Sequence, residues 1–188
     1  MAYSNKKRAG YEYLLAYKIT LPIYDYTVLF CNIYIDPRSR TRDQMIQSAR
    51  SGMQNIAEGN KQQSLQGYIK LSGVSRGSLE ELLKDFLSYA RQNKISIWDS
   101  ENAKREIREI GEIWQILKKT PTLPDSPNFP SLPNRVEVAA NLMITLINQA
   151  NFLIDKLIIS LKEKHMREGG FNEQLYRKRM EYRNKNKS

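Results

Sequence analysis

The chain is poor in the residue types on which most catalytic and metal chemistry depends. It holds one cysteine, Cys31, and one histidine, His165. A zinc site gathers several Cys and His ligands, so none is expected, and no Glu-x-x-His pair of the di-iron kind is present. No intrachain disulfide can form, and the setting of Cys31, Val-Leu-Phe-Cys-Asn-Ile-Tyr, reads as core packing. A lone histidine is a poor base for activating Cys31 or a serine. Near a helix end, His165 suits the helix dipole instead. A phosphate-cradling loop is missing as well, because Gly73-Val-Ser-Arg-Gly77 lacks the lysine and the preceding strand that give such a loop its meaning. Glu58, Glu80 and Glu81 are what remains for carboxylate chemistry, and carboxylates on helices are usually solvated or paired with arginine. The expectation is a protein that is not an enzyme and uses no metal or cofactor.

Clean apolar runs are also scarce. The most apolar stretch, Val136 to Leu161, is interrupted by Asn141, Thr145, Asn148, Asn151, Asp155 and Lys156, groups that are expensive in hydrocarbon. No apolar core of a signal peptide follows Lys6, Lys7 and Arg8. No membrane partner and a cytoplasmic, reducing location are therefore expected. Acidic residues are short at the two ends: residues 1–10 carry a net +3 and residues 162–188 a net +5 of the chain's +10. A nearly neutral body with basic ends suits a polyanion such as nucleic acid, RNA or DNA, or an anionic membrane surface; solubilising tails are the plainer reading of the same charges.

What the sequence does hold is helical periodicity. Tyr24, Val28, Cys31 and Ile35 fall on one stripe of a helix from about Leu21 to Ile35, with a turn or two before it from Tyr11. Pro37 stops it. Thr41 is the expected N-cap of a second helix to about Asn60, carrying Met45, Ala49, Gly52 and Ile56. Ser64 caps a third helix to about Asn93. Its small residues Ser72, Gly73, Ser75, Gly77 and Ser78 predict close approach to Ala49 and Gly52, because each interior glycine otherwise costs about 1 kcal/mol relative to alanine. Asp99 or Ser100 opens a fourth helix that ends before Pro121. Five prolines from Pro121 to Pro133 make an extended connector. A fifth helix, from about Asn134 to Met166, is apolar on most sides, with a narrow polar strip through Asn141, Thr145, Asn148 and Asp155. It requires a deep place in the bundle or a partner subunit. Gly169-Gly170 breaks it, and a short basic helix follows from about Asn172 to Arg183. The expected architecture is all-α: an antiparallel four-helix bundle over 11–119, a proline-rich connector over 120–133, and over 134–188 an additional long helix followed by a short basic one.

Ala49-Arg-Ser-Gly-Met-Gln-Asn-Ile-Ala-Glu-Gly59, followed by Tyr68-Ile-Lys-Leu71 and Ser75-Arg-Gly-Ser-Leu-Glu-Glu-Leu-Leu83, resembles the bacterial four helix bundle protein family, also called the 23S rRNA intervening-sequence or S23-like family. Glu137 to Asn151 and Gly169 to Arg179 look like the subgroup with a C-terminal suffix extension. The resemblance implies an antiparallel bundle that assembles into homo-pentameric rings. Its relatives include the accessory variability protein of diversity-generating retroelements, which binds nucleic acid and a reverse transcriptase through a basic surface.

The leading expectation is thus a homo-oligomer that binds RNA. Arg177, Lys178, Arg179, Arg183, Lys185 and Lys187 would contact phosphates, and Tyr176 and Tyr182 would stack on unpaired bases. A second basic group, Arg38, Arg40, Arg42 and Arg50, surrounds the loop between the first two long helices. The alternative is an adaptor that binds a reverse transcriptase or another protein partner.

Overall fold

The computed structural model describes residues 8–124 and 127–185; Lys187 lies outside them. A 3₁₀ turn (Gly10–Tyr13) and a single helical turn, α1 (Leu15–Lys18), lead into α2 (Thr20–Tyr34), α3 (Arg40–Asn60) and α4 (Leu65–Gln92). The links between these three are short, so neighbouring helices run antiparallel. α5 (Ser100–Glu106) and α6 (Arg108–Lys119) follow, then the connector, α7 (Val136–Glu168) and α8 (Phe171–Lys185). The expected all-α bundle, with its long C-terminal helix and short basic helix, is what the structure shows.

The circuit of the bundle closes through the long helix. α3 packs on α4, α4 on α7, α7 on α2 and α2 on α3. α4 and α7 are antiparallel: Asn141 of α7 bonds the loop beyond the end of α4, while Asp155 reaches back to Arg76. A single core draws on α2, α3, α4, α6, the connector and α7, so the segments 11–119, 120–133 and 134–188 share it. Residues 139–147 of α7 are all buried. α7 is long and apolar enough to cross a membrane by length and composition, and half of its most apolar window is covered by the rest of the chain.

Local chemistry explains the boundaries. Ser64 caps α4 by accepting from the Gly67 N–H at 3.1 Å, as expected. Ser39, rather than Thr41, caps α3, because its hydroxyl accepts the Thr41 N–H at 3.2 Å. The buried stripe of α2 is Ile23, Tyr26, Thr27, Phe30 and Cys31; Tyr24 and Val28, expected inside, are half-buried. Phe30 sets that rotation, for its ring meets Phe86 edge-on at 4.9 Å and Tyr89 at 5.1 Å. The fourth helix is broken at Ile107, whose backbone is extended (φ −106°, ψ 93°) and whose side chain is fully buried.

The small-residue seam between α3 and α4 is real but narrower than expected. A Cβ on Gly52 would lie 2.5 Å from Leu79 Cδ2, and the Gly52 carbonyl accepts the Ser75 hydroxyl. Ala49 is buried beside it. Gly73 and Gly77 do not belong to this seam: both are exposed, with nothing within 4 Å of where a Cβ would sit. Residues four apart share a helix face, and theirs points away from α3.

The connector is a strap along α2. α6 ends beside Lys18, whereas α7 begins beside Tyr34, so the chain must travel the length of α2 between them. Tyr26 Oη donates to the Pro130 carbonyl (2.5 Å) and Tyr34 Oη to the Asn134 carbonyl (2.7 Å). Eight helical residues and four extended ones both cover about 12 Å, which keeps the two bonds in step. Leu123 and Leu132 anchor the strap in the core. Lys18, only 3% exposed, donates to the carbonyls of Leu117, Thr120 and Pro121 and so caps the C-terminus of α6 with a cation.

Candidate nucleic-acid interface

α8 follows the break at Gly169, whose φ of +78° suits only a residue without a Cβ. Glu173 accepts the Gly170 N–H at 3.2 Å and fixes the start of the helix. No residue of α8 is buried. Tyr176, Arg177, Lys178, Arg179, Tyr182, Arg183 and Lys185 are all exposed, and Tyr176 and Tyr182 present most of their rings to solvent. Positions 175, 178, 179, 182 and 183 share one side of the helix and border a shallow hollow. Five cations stand against two acids, Glu173 and Glu181, over this element.

The second basic group lies elsewhere. Arg38 stands in the turn between α2 and α3, where its backbone N–H donates to Asp36 Oδ1 at 2.8 Å. Arg40 opens α3, whose N-terminal dipole adds to the positive field. Both are exposed, as is Arg50, ten residues further along the helix. Arg42 differs from these three: its guanidinium donates to Asn32 Oδ1 at 2.7 Å and lies 3.6 Å from Asp43, so it ties α3 to α2. The turn sits at the end of the bundle where α7 starts, because Tyr34 bonds Asn134 there. α8 leaves from the other end of α7. A helix of 33 residues spans about 50 Å, so the two groups do not merge into one patch within a chain.

Several groups singled out in the sequence take structural places. Glu80 accepts from Arg76 at 2.9 Å and from Asn151 at 3.4 Å, and Arg76 also reaches Asp155 at 3.2 Å, clamping α4 to α7. Glu58 and Glu81 are exposed. Burial pushes the Cys31 thiol up to about 11, so it stays protonated and unreactive at neutral pH. The polar strip expected on α7 is partly internal. Asn141, 1% exposed, donates to the Ser96 carbonyl and accepts the Trp98 N–H at 2.8 Å. That clamp holds Trp98 over a groove outside the expected site, whose sequence signal was the presence of both tryptophans in and beside the fourth helix.

Among the described residues, no group of three or more His, Cys, Asp or Glu side chains could hold a metal ion. In comparison with known proteins, residues 13–116 match the family described as 23S rRNA-intervening sequence protein. No curated protein and no solved structure matches the chain. The matched region runs from the 3₁₀ turn into α6 and takes in the α3–α4 seam with its Asn-Ile-Ala-Glu-Gly and Arg-Gly-Ser-Leu-Glu-Glu segments. It spans more than half of the residues, and the chain belongs to the 23S rRNA-intervening sequence protein family.

Proposed function

We propose that the protein is a non-enzymatic, self-associating nucleic-acid-binding protein, with RNA as its preferred target. The observation that carries this reading is α8, a helix with no buried residue that offers five cations and two exposed tyrosines. Such a helix gains nothing from the core, and its composition matches the phosphate-plus-stacking chemistry of unpaired nucleic acid. Arg38 and Arg40, at the far end of α7, and Arg50, about 15 Å further along α3, add a second contact region. Membership of the family is compatible with a nucleic-acid role.

Self-association is supported by Gly73, Val74 and Gly77. Two glycines in a helix interior, at a cost of about 1 kcal/mol each, have no packing purpose inside the chain, while Val74 between them is 44% exposed. A second copy laid on this face of α4 would supply the missing close contact. The adaptor reading is favoured by Phe171, Leu175 and Met180, apolar side chains exposed along α8, which a reverse transcriptase or another protein partner would cover.

Filter binding to structured and single-stranded RNA at low salt tests the main reading. The expected result is affinity that falls steeply with salt and drops at least about tenfold when the chain is truncated after Gly170. Binding that is absent at low salt, or indifferent to the truncation, overturns it.

A further inference from the structure

We propose that the groove between α6 and α7 receives a single unpaired base of a nucleic-acid strand; this rests on the nucleic-acid reading above and gives it a defined pocket. The groove has a volume of about 740 Å³, within the range of small-ligand sites. Its walls are aromatic: Trp98 from the loop after α4, Trp114 from α6 and Phe152 from α7. Phe152 is 61% exposed although it lies in the middle of a core helix. Lys104 and Lys118 stand on the rim, and none of the residues that line the groove is acidic. The Lys118 ammonium lies 5.5 Å from the centre of the Trp114 ring, and that of Lys156 lies 5.4 Å from the Phe152 ring.

Two features point to a base rather than to an apolar ligand. Asn148 uses its Nδ2 on the Ile144 carbonyl, and Gln149 uses its Oε1 to accept the Trp114 indole N–H at 2.7 Å. Asn148 Oδ1 and Gln149 Nε2 are left without a partner among the described residues, so the groove lining holds both a spare acceptor and a spare donor. A base edge presents the complementary pair. Gly111 is the second feature. It sits in the interior of α6 and lines the groove, with nothing within 4 Å of where a Cβ would sit. No contact within the chain requires a glycine there, and a larger side chain would close the space. A strand fits better than a free nucleotide because Lys104 and Lys118 come from different helices, one able to meet the phosphate on each side of an inserted base.

Trp98 and Trp114 are the chain's two tryptophans, so intrinsic fluorescence reads the groove directly. Titration with a single-stranded oligoadenylate of about twelve nucleotides at low salt is expected to quench it. Phe152→Ala, at an exposed position, should weaken the quenching titration about tenfold. Gly111→Leu should abolish quenching while leaving the melting temperature unchanged or higher. If the strand binds by fluorescence anisotropy without quenching, or if both variants quench like the parent, the groove is not the site and the nucleic-acid reading stands without it. Quenching by AMP as tight as by the strand overturns the strand assignment in favour of a free nucleotide. No anisotropy change with any RNA or DNA overturns both this inference and the reading on which it rests.

Discussion

At the scale of single residues, the glycines separate into those the core needs and those it does not. Gly52→Val drives branched carbons into Leu79 and should cost about 1–3 kcal/mol, read as a lower midpoint in urea. Gly73→Ala meets no atom and removes backbone freedom from a helix interior, so the single chain should gain up to about 1 kcal/mol. Lys18 is the other residue with a sharp consequence. Lys18→Met strands three carbonyls at the end of α6 and should cost about 1–3 kcal/mol at pH 7. Burial holds the Lys18 pKa below its ordinary 10.5. Between the folded and unfolded values the unfolded chain binds more protons, so this group's contribution to stability rises with pH across that window. The advantage of the parent over Lys18→Met should therefore widen as urea denaturation is repeated from pH 8 towards 10.5; a constant gap would mean that the ammonium is not desolvated.

Among elements, the connector behaves as part of the core. Burial, followed by the charges of Glu109, Asp25 and Glu112, raises the Tyr26 pKa, so its hydroxyl remains a donor to Pro130 through the physiological range. Tyr26→Phe removes that bond and should cost about 1 kcal/mol or somewhat more, with faster amide exchange at Phe129, Ser131 and Leu132 as its local signature. An unchanged exchange pattern would show that Leu123 and Leu132 hold the strap alone. Much of this level could be read from the residues themselves: the Ser64 cap, the stop at Pro37, the prolines of the connector and the Gly169-Gly170 break each act locally. The break at Ile107 could not, because no glycine or proline marks it and only tertiary packing sends that side chain inward. The same limit misassigned Gly73 and Gly77. Spacing places small residues on helix faces, but which face meets α3 depends on Leu79 and Ser75 being inside. For the candidate site, composition alone marked α8 as an exposed basic element. The commitment of Arg42 to Asn32, and the separation of the two basic groups, required knowing which end of α7 each one adjoins.

For the whole molecule, that separation has a measurable consequence. The Arg38–Arg40 turn and α8 adjoin opposite ends of a helix about 50 Å long, with Arg50 about 15 Å along α3 from Arg40, so one short nucleic acid reaches only one of the two regions within a chain. A duplex of ten base pairs covers about 34 Å and one of twenty about 68 Å, at the 3.4 Å rise per base pair of B-DNA. If both regions bind phosphates, linking them on a single duplex converts the second contact into an intramolecular one, and avidity then exceeds either affinity by a factor of about 100 or more. The expected outcome is a jump in affinity between ten and twenty base pairs, beyond the proportional gain in sites. The jump should vanish in the triple variant Arg38→Ala, Arg40→Ala, Arg50→Ala and in the chain truncated after Gly170. Each lost phosphate contact should also lower the slope of log K against log salt by about 0.9. For the triple variant the drop should approach about 3, and for Arg42→Ala alone it should be near zero, since that guanidinium is already engaged with Asn32. Affinity that scales smoothly with duplex length, together with a salt slope indifferent to the triple variant, would confine binding to α8 and reduce the arginines at the α2–α3 turn to a solvated corner of the bundle.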